Sequence, residues 1–302
     1  MRKFRKLVEA GPVGLQDWAE KKLEDYADEI IRFDSLPQSE DELAAMIGDA
    51  DALLVRTQPA VPASVLSRCS SLKYVGMCCS LYSKESANVD IGYAEQHGIT
   101  VYGIRDYGDK GVTEFVVYAL VRILHGYDWP MWRKRPKEIT GLKIGFVGFG
   151  TSGQMTARLL KAMGARISYY ARSRKEDCEK EDMHYMPLDE LLHDSEVVIT
   201  CLNKGVILLH EDEFRALGRG KIMINTSIGP AADMPLLKQW ILDEGNIFVA
   251  DTSGAVGDIW QEVKDRKNVL CPDVSAGMTE EAYDLMSRKV LDNIERMLSG
   301  QN

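Results

Sequence analysis

Lys143-Ile144-Gly145-Phe146-Val147-Gly148-Phe149-Gly150-Thr151-Ser152-Gly153 is the most informative stretch of the chain. An apolar run, KIGFV, leads directly into G-x-G-x-x-G, and the residues beyond it place Met155, Leu159 and Met163 at helical spacing. Strand, glycine turn and helix in that order are the context that gives the motif meaning. Gly148 permits a tight turn, Gly150 lets backbone approach a pyrophosphate, and Gly153 lets helix and strand pack closely. The free amides at the helix start, with Thr151 and Ser152 among them, favour a bound anion. The alternative is an ordinary glycine turn with no ligand.

The next strand expected, ARISYYA (165–171), ends without a carboxylate. A site for NAD(H) places Asp or Glu there, on the ribose 2′-hydroxyl. Arg172, Ser173, Arg174 and Lys175 stand there instead. Guanidinium groups hold a 2′-phosphate that a carboxylate would repel. The reading is therefore NADP(H) in preference to NAD(H), against the plainer alternative of a basic surface turn.

Outward from the motif, strands and helices alternate, which predicts a mostly parallel sheet covered on both faces. EVVITCL (196–202), KIMINTS (221–227), NIFVAD (246–251) and NVLCPDVS (268–275) continue the series after the motif. Before it, EIIRF (29–33), DALLVR (51–56), LKYVGM (72–77) and ITVYG (99–103) read as buried strands. The intervening helices are LQDWAEKKLEDY (15–26), SEDELAAMI (39–47) and VDIGYAEQHG (89–98). A longer helix is expected from Thr113 to Leu124, followed by a basic connector, DWPMWRKRPKEITG (128–141), broken by proline and glycine. The last helix carries apolar Leu285, Val290, Ile294 and Leu298.

The 302 residues are 45% apolar, enough for two domains with sizeable cores. The net charge of −9 argues against a nucleic-acid or anionic-membrane surface, because phosphates would be repelled. No run reaches the ~18 apolar residues of a membrane span. MRKFRKLVEAG lacks the apolar segment of a secretory signal. The six cysteines show no C-x-x-C pair, and Cys201 and Cys271 lie in apolar runs, which fits reduced thiols in the cytoplasm. The charged run RKEDCEKED (174–182) reads as a solvated loop face. All five histidines fall away from strand ends and read as structural.

The order of these blocks resembles the D-isomer-specific 2-hydroxyacid dehydrogenases over nearly the whole length. NVDIGYAEQHGITVYGI (88–104) is similar to that family's crossover into the cofactor domain, and VTEFVVYALVRIL (112–124) to its dimer helix, with Glu114 at the usual acidic position. The cofactor loop, LDELLHDSEVVITCLNKG (188–205), KIMINTSIGP (221–230) and VLCPDVSAGMTEEA (269–282) also correspond. The resemblance implies a Rossmann-type doubly wound sheet (101–279) inserted in a flavodoxin-like α/β substrate domain (1–100 plus 280–302). It also implies a homodimer acting on a small-molecule substrate. The cofactor contacts it carries over are Gly148, Gly150, Thr151, Ser152, Gly153, Thr226, Ser227 and Asp251.

Three catalytic positions of that family are not matched. Ile228 stands where the family has the substrate-binding Arg, Gly254 where it has Glu, and Asp273, after Pro272, where it has the acid/base His. An isoleucine cannot hold a carboxylate as a guanidinium fork does. Asp273 can act as an acid only if burial raises its pKa. Tyr82 and Lys84, in the region equivalent to the family's substrate loop (76–84), and Lys204 are the other proton-donor candidates. Each has the plainer reading of a structural or solvated group. The substitutions point to a ketone, imine or activated alkene rather than an ordinary 2-keto acid. A non-catalytic NADP(H) sensor and an ordinary 2-hydroxyacid dehydrogenase are the alternatives.

Overall fold

The computed structural model describes residues 3–300 and divides into two compact units. One comprises Met1–Tyr107 with Thr279–Asn302, the other Gly108–Met278.

The first unit holds five parallel strands: β1 (Phe4–Glu9), β2 (Ala27–Arg32), β3 (Ala52–Val55), β4 (Tyr74–Ser80) and β5 (Thr100–Ile104), in the spatial order β2-β1-β3-β4-β5. All four residues of β3 are buried, as expected of a strand covered on both faces. β1 was not expected, yet it lies between β2 and β3. Two of its three charged residues conceal it. Arg5 and Lys6 ion-pair with Asp49 at the strand's start, and Asp51 accepts both of their backbone amides, at 3.1 and 2.9 Å. Leu7 and Val8 are fully buried. The final helix, Glu280–Ser299, buries Met286, Val290, Leu291 and Ile294 in this unit's core. Leu285, expected on that face, is exposed.

The second unit holds β6 (Lys143–Val147), β7 (Arg166–Tyr170), β8 (His184–Tyr185), β9 (Val197–Thr200), β10 (Ile222–Asn225), β11 (Ile247–Ala250) and β12 (Val269–Leu270). Their order is β12-β11-β10-β9-β6-β7-β8, and every pairing is parallel. The chain turns back beside β6, and the glycine motif lies at that strand's carboxyl end, where such sheets bind ligands. β8 is a short edge strand the sequence did not suggest, and it carries His184. The long helix runs Asp109–His125, a turn earlier than expected.

The helix after the motif, Thr151–Ala162, presents Gly153, Thr156, Ala157 and Leu160 to the core. The expected stripe was off by one position, since Leu159 and Met163 are exposed. Its packing partner explains the shift. Thr156 hydrogen-bonds the hydroxyl of Thr113 on the long helix at 2.9 Å, so small residues rather than large ones line the close approach.

Candidate functional site

Gly148 has φ +89°, and a Cβ there would lie 2.4 Å from the carbonyl oxygen of Cys201 at the end of β9. Only glycine fits. Gly153 passes within 3.1 Å of the Gly148 carbonyl by the same measure, so helix and turn are held close. Gly150 differs: a Cβ on it would meet nothing within 4 Å. Its missing side chain therefore leaves open a concavity in front of the helix's first amides. Phe149 faces inward, stacked on Tyr169 with ring centroids 4.2 Å apart. These residues fit a dinucleotide pyrophosphate: an uncovered backbone cradle at the amino end of a helix.

At the end of β7 the basic residues divide. Arg174 is paired with Glu179 at 2.9 Å and lies over the Tyr185 ring. Lys175 reaches the Ser173 hydroxyl at 3.2 Å. Arg172 is exposed and makes no ion pair among the described residues. Arg172 is thus the guanidinium available to an added phosphate, and Arg174 is partly committed.

The ends of β9, β10 and β11 are joined by Asn225, a buried residue that motif reasoning passed over. Its Oδ1 accepts from the Thr200 hydroxyl at 2.7 Å and the Ser227 amide at 2.9 Å. Its Nδ2 donates to the carbonyls of Gly229 and Ala255, at 3.0 and 2.8 Å. The Ser227 hydroxyl accepts the Leu202 amide, and the Thr226 hydroxyl donates to the Thr200 carbonyl. Both hydroxyls are therefore engaged within the fold. A polar residue at the end of an otherwise apolar strand, IMIN, is the signal that marked Asn225.

Asp251 and Asp273 brace neighbouring loops reciprocally. Asp251 Oδ2 accepts the amide of Ala276, in the loop after β12, at 2.9 Å. Asp273 Oδ1 accepts the amide of Ser253, in the loop after β11, at 2.7 Å. Asp273 adopts φ +55°, a conformation Asp tolerates better than most residues. The condition for an acid at Asp273 is not met. It is exposed, and the hydrogen bond from Ser253 holds its carboxyl below the usual carboxylate range, so it is ionised at neutral pH. Ile228 is 54% exposed beyond β10, and Gly254 is exposed in the short helix Ser253–Val256 after β11.

The remaining candidates divide between the two units, Tyr82 and Lys84 in the first and Lys204 in the second. Lys204 is exposed in the turn Asn203–Val206 and makes no hydrogen bond or ion pair among the described residues. Lys84, in the first unit, is paired with Glu95 at 2.5 Å. Tyr82 lies under the Arg105 guanidinium, 5.5 Å from its ring centroid. Burial pushes the Cys201 thiol up to about 11, which makes it a packing group rather than a nucleophile. His210 caps the helix Glu211–Leu217 and bonds Asp233 at 2.8 Å. Among the described residues no helix is long and apolar enough to cross a membrane.

Residues 118–270 match the family described as D-isomer specific 2-hydroxyacid dehydrogenase, NAD binding domain. The chain belongs to that family. It is accordingly a nicotinamide-dependent oxidoreductase of the 2-hydroxyacid dehydrogenase superfamily, built on a Rossmann-type sheet. It is similar to a hydroxypyruvate reductase of Blautia hydrogenotrophica, 27% identical over 290 residues and covering 86% of each chain. Two solved structures share its fold. One is a putative D-isomer specific 2-hydroxyacid dehydrogenase from Polaromonas sp. JS6 66, with TM-score 0.82, 20% identity and coverage of 98% and 97%. The other is an acyclic imino acid reductase in complex with NADPH and D-Arg, with TM-score 0.82, 19% identity and coverage of 98% of each chain.

Proposed function

We propose that this dehydrogenase uses NADP(H) in preference to NAD(H) to reduce a ketone, imine or activated alkene, through an active site that departs from its family's. The observation that carries the reading is the set of side chains beyond β10, β11 and β12. Ile228, Gly254 and Asp273 stand at the positions that the resemblance assigns to Arg, Glu and His. An apolar group and an ionised carboxylate favour a neutral or cationic reacting group over an anionic one. Reduction of an imine by a fold neighbour solved with NADPH accords with this.

The bound cofactor supplies the hydride. Gly148, Gly150, Thr151, Ser152 and Gly153 hold its pyrophosphate, and Arg172 its 2′-phosphate. Asp251 stands at the nicotinamide position. Tyr82 and Lys204 are the proton-donor candidates, because Lys84 is paired with Glu95 and Asp273 is ionised.

The working form is a homodimer. Tyr118, Tyr127 and Met131 are 49%, 60% and 40% exposed on and just after the long helix, and a second copy would cover them. Six thiols, none paired with another, fit the cytoplasm.

Titration with NADPH and NADH, followed by quenching of protein fluorescence, tests the cofactor reading. Wild type is expected to prefer NADPH, and Arg172→Gln to lose at least tenfold of that preference while NADH binding stays the same. Equal affinities in the wild type refute it. A panel of imines, ketones and 2-keto acids with NADPH tests the chemistry. Turnover confined to hydroxypyruvate and similar keto acids would establish an ordinary dehydrogenase, and tight NADPH binding without turnover a sensor.

A further inference from the structure

The glycine turn after β6 and the basic turn after β7 meet on one side chain. Tyr169, the next-to-last residue of β7, is fully buried. Its ring is stacked on Phe149 of the glycine turn, with planes 10° from parallel, and meets Tyr185 on β8 edge to face at 5.7 Å. A ring packed on two others has no room to tilt, so its hydroxyl occupies one place. There the oxygen accepts the backbone amide of Lys175 at 2.7 Å and donates to Glu179 Oε1, on the short helix Glu176–Lys180, at 3.0 Å. The same Glu179 oxygen accepts Arg174 Nε at 2.9 Å.

Both protonation states suit these bonds. Burial raises the Tyr169 pKa, so the hydroxyl keeps the proton it donates. The hydrogen bond from Arg174 holds Glu179 below the usual carboxylate range, so it accepts. The basic turn is thereby hung between two fixed points. At its start the Tyr170 carbonyl accepts the Gly148 amide at 2.9 Å, and at its end the Lys175 amide is held by Tyr169. Between them, Arg172, Ser173 and Arg174 make no backbone–backbone hydrogen bond among the described residues. The direction in which Arg172 leaves the turn is therefore set by the two ends. A segment already held in its binding shape loses less entropy when a ligand arrives.

We infer that Tyr169 is a positioning residue for cofactor choice: its hydroxyl holds the turn 171–175 in the shape that presents Arg172 to a 2′-phosphate. This rests on the NADP(H) reading above. The hydroxyl and the ring have separable effects. The ring supports Phe149 and with it the pyrophosphate cradle, which NADPH and NADH share. The hydroxyl supports only the basic turn, which bears on NADPH alone.

Calorimetric titration of NADPH and of NADH into the full chain tests this. Tyr169→Phe keeps the ring and deletes the hydroxyl. It is expected to lower the preference for NADPH over NADH at least fivefold, with NADH affinity staying within twofold of wild type. Once the guanidinium is gone the hydroxyl has nothing left to position. In the Arg172→Gln background Tyr169→Phe should therefore change NADPH affinity by less than twofold. A hydroxyl with a merely structural role would lower the melting temperature and weaken both coenzymes equally. Tyr169→Phe with wild-type preference, with equal losses of NADPH and NADH, or with its full effect repeated in the Arg172→Gln background overturns the proposal and leaves the NADP(H) reading standing. Equal affinities in the wild type overturn the NADP(H) reading, and the proposal falls with it. If Tyr169→Phe does not fold, amide hydrogen exchange of the wild type, read by NMR, decides the matter. Slow exchange of the Lys175 amide before NADPH is added supports the clasp, and exchange at the rate of a free loop amide overturns it.

Discussion

Two glycines separated by one residue are expected to fail in opposite ways when given a methyl group. At Gly148 the φ of +89° is costly for any side chain, and the added Cβ would lie 2.4 Å from the Cys201 carbonyl oxygen and 2.9 Å from its carbon. Those atoms belong to backbone beyond β9 and cannot rotate away. The left-handed conformation costs about 1–2 kcal/mol, and overpacking adds about 1–3 kcal/mol. Gly148→Ala should thus lose about 2–5 kcal/mol, a fall in melting temperature of roughly 4–20 °C for a domain of this size. At Gly150 φ is −80°, and nothing lies within 4 Å of the Cβ position. Gly150→Ala should stay within about 0.5 kcal/mol of wild type. Its methyl would, however, stand in the cradle in front of the helix's first amides. NADPH affinity should fall at least tenfold, about 1.4 kcal/mol. Calorimetric melting and NADPH titration of both variants make the comparison. Wild-type NADPH affinity in Gly150→Ala would refute the cradle, and a Gly148→Ala protein as stable as wild type would refute the steric argument.

Asn225→Ala leaves the Thr200 hydroxyl, the Ser227 amide and two carbonyls without their partner. At about 1–3 kcal/mol for a buried orphan, with water relieving some, the loss should be about 3–5 kcal/mol, seen as a lower urea midpoint at unchanged slope. Glu9 is buried and held at about 8, first by desolvation and then by the charge of Glu20, with Arg32 opposing. Because the folded value lies above the unfolded one, its contribution is complete below about 4.5 and is lost as pH rises through about 8. Melting temperature should decline from pH 5 to pH 9, and Glu9→Gln should flatten that decline; an identical profile in the variant would contradict the assignment. Asp273→Asn keeps an acceptor for the Ser253 amide, so it should retain most of the NADPH-dependent turnover. A loss beyond a hundredfold, with the fold intact, would restore Asp273 as a chemical participant.

The second unit was legible in the sequence because each of its central strands is a short, wholly buried apolar run, and the glycine motif supplies an absolute position within the series. What escaped is what local pattern does not carry. β1 hides behind Arg5 and Lys6, whose charges are satisfied by Asp49, far along the chain. β8 is two residues at a sheet edge, too short for a period to show. The core face of the helix after the motif differs from the expected one because a close helix contact requires small residues, Gly153, Thr156 and Ala157, and leaves the large apolar ones outside. In the site, residue type carries the glycine turn but not commitment. Arg172 and Arg174 look alike in sequence, and only the fold brings Glu179 to one of them.

Commitment also bears on where a proton can come from. The loops after β11 and β12 hold each other through two carboxylates, Asp251 on the Ala276 amide and Asp273 on the Ser253 amide. A carboxylate that accepts a backbone amide is stabilised as the anion, so the feature that fixes these loops also keeps Asp273 from serving as an acid. A histidine at position 273 would accept the amide of Ser253 only in its neutral form, and protonation would cost it that bond. Aspartate removes this conflict: the clasp persists across the physiological pH range, and proton delivery falls to other residues. Replacing Asp273 alone should therefore not create an ordinary 2-keto-acid reductase, because Ile228 and Gly254 would still lack the guanidinium and the carboxylate that such chemistry uses.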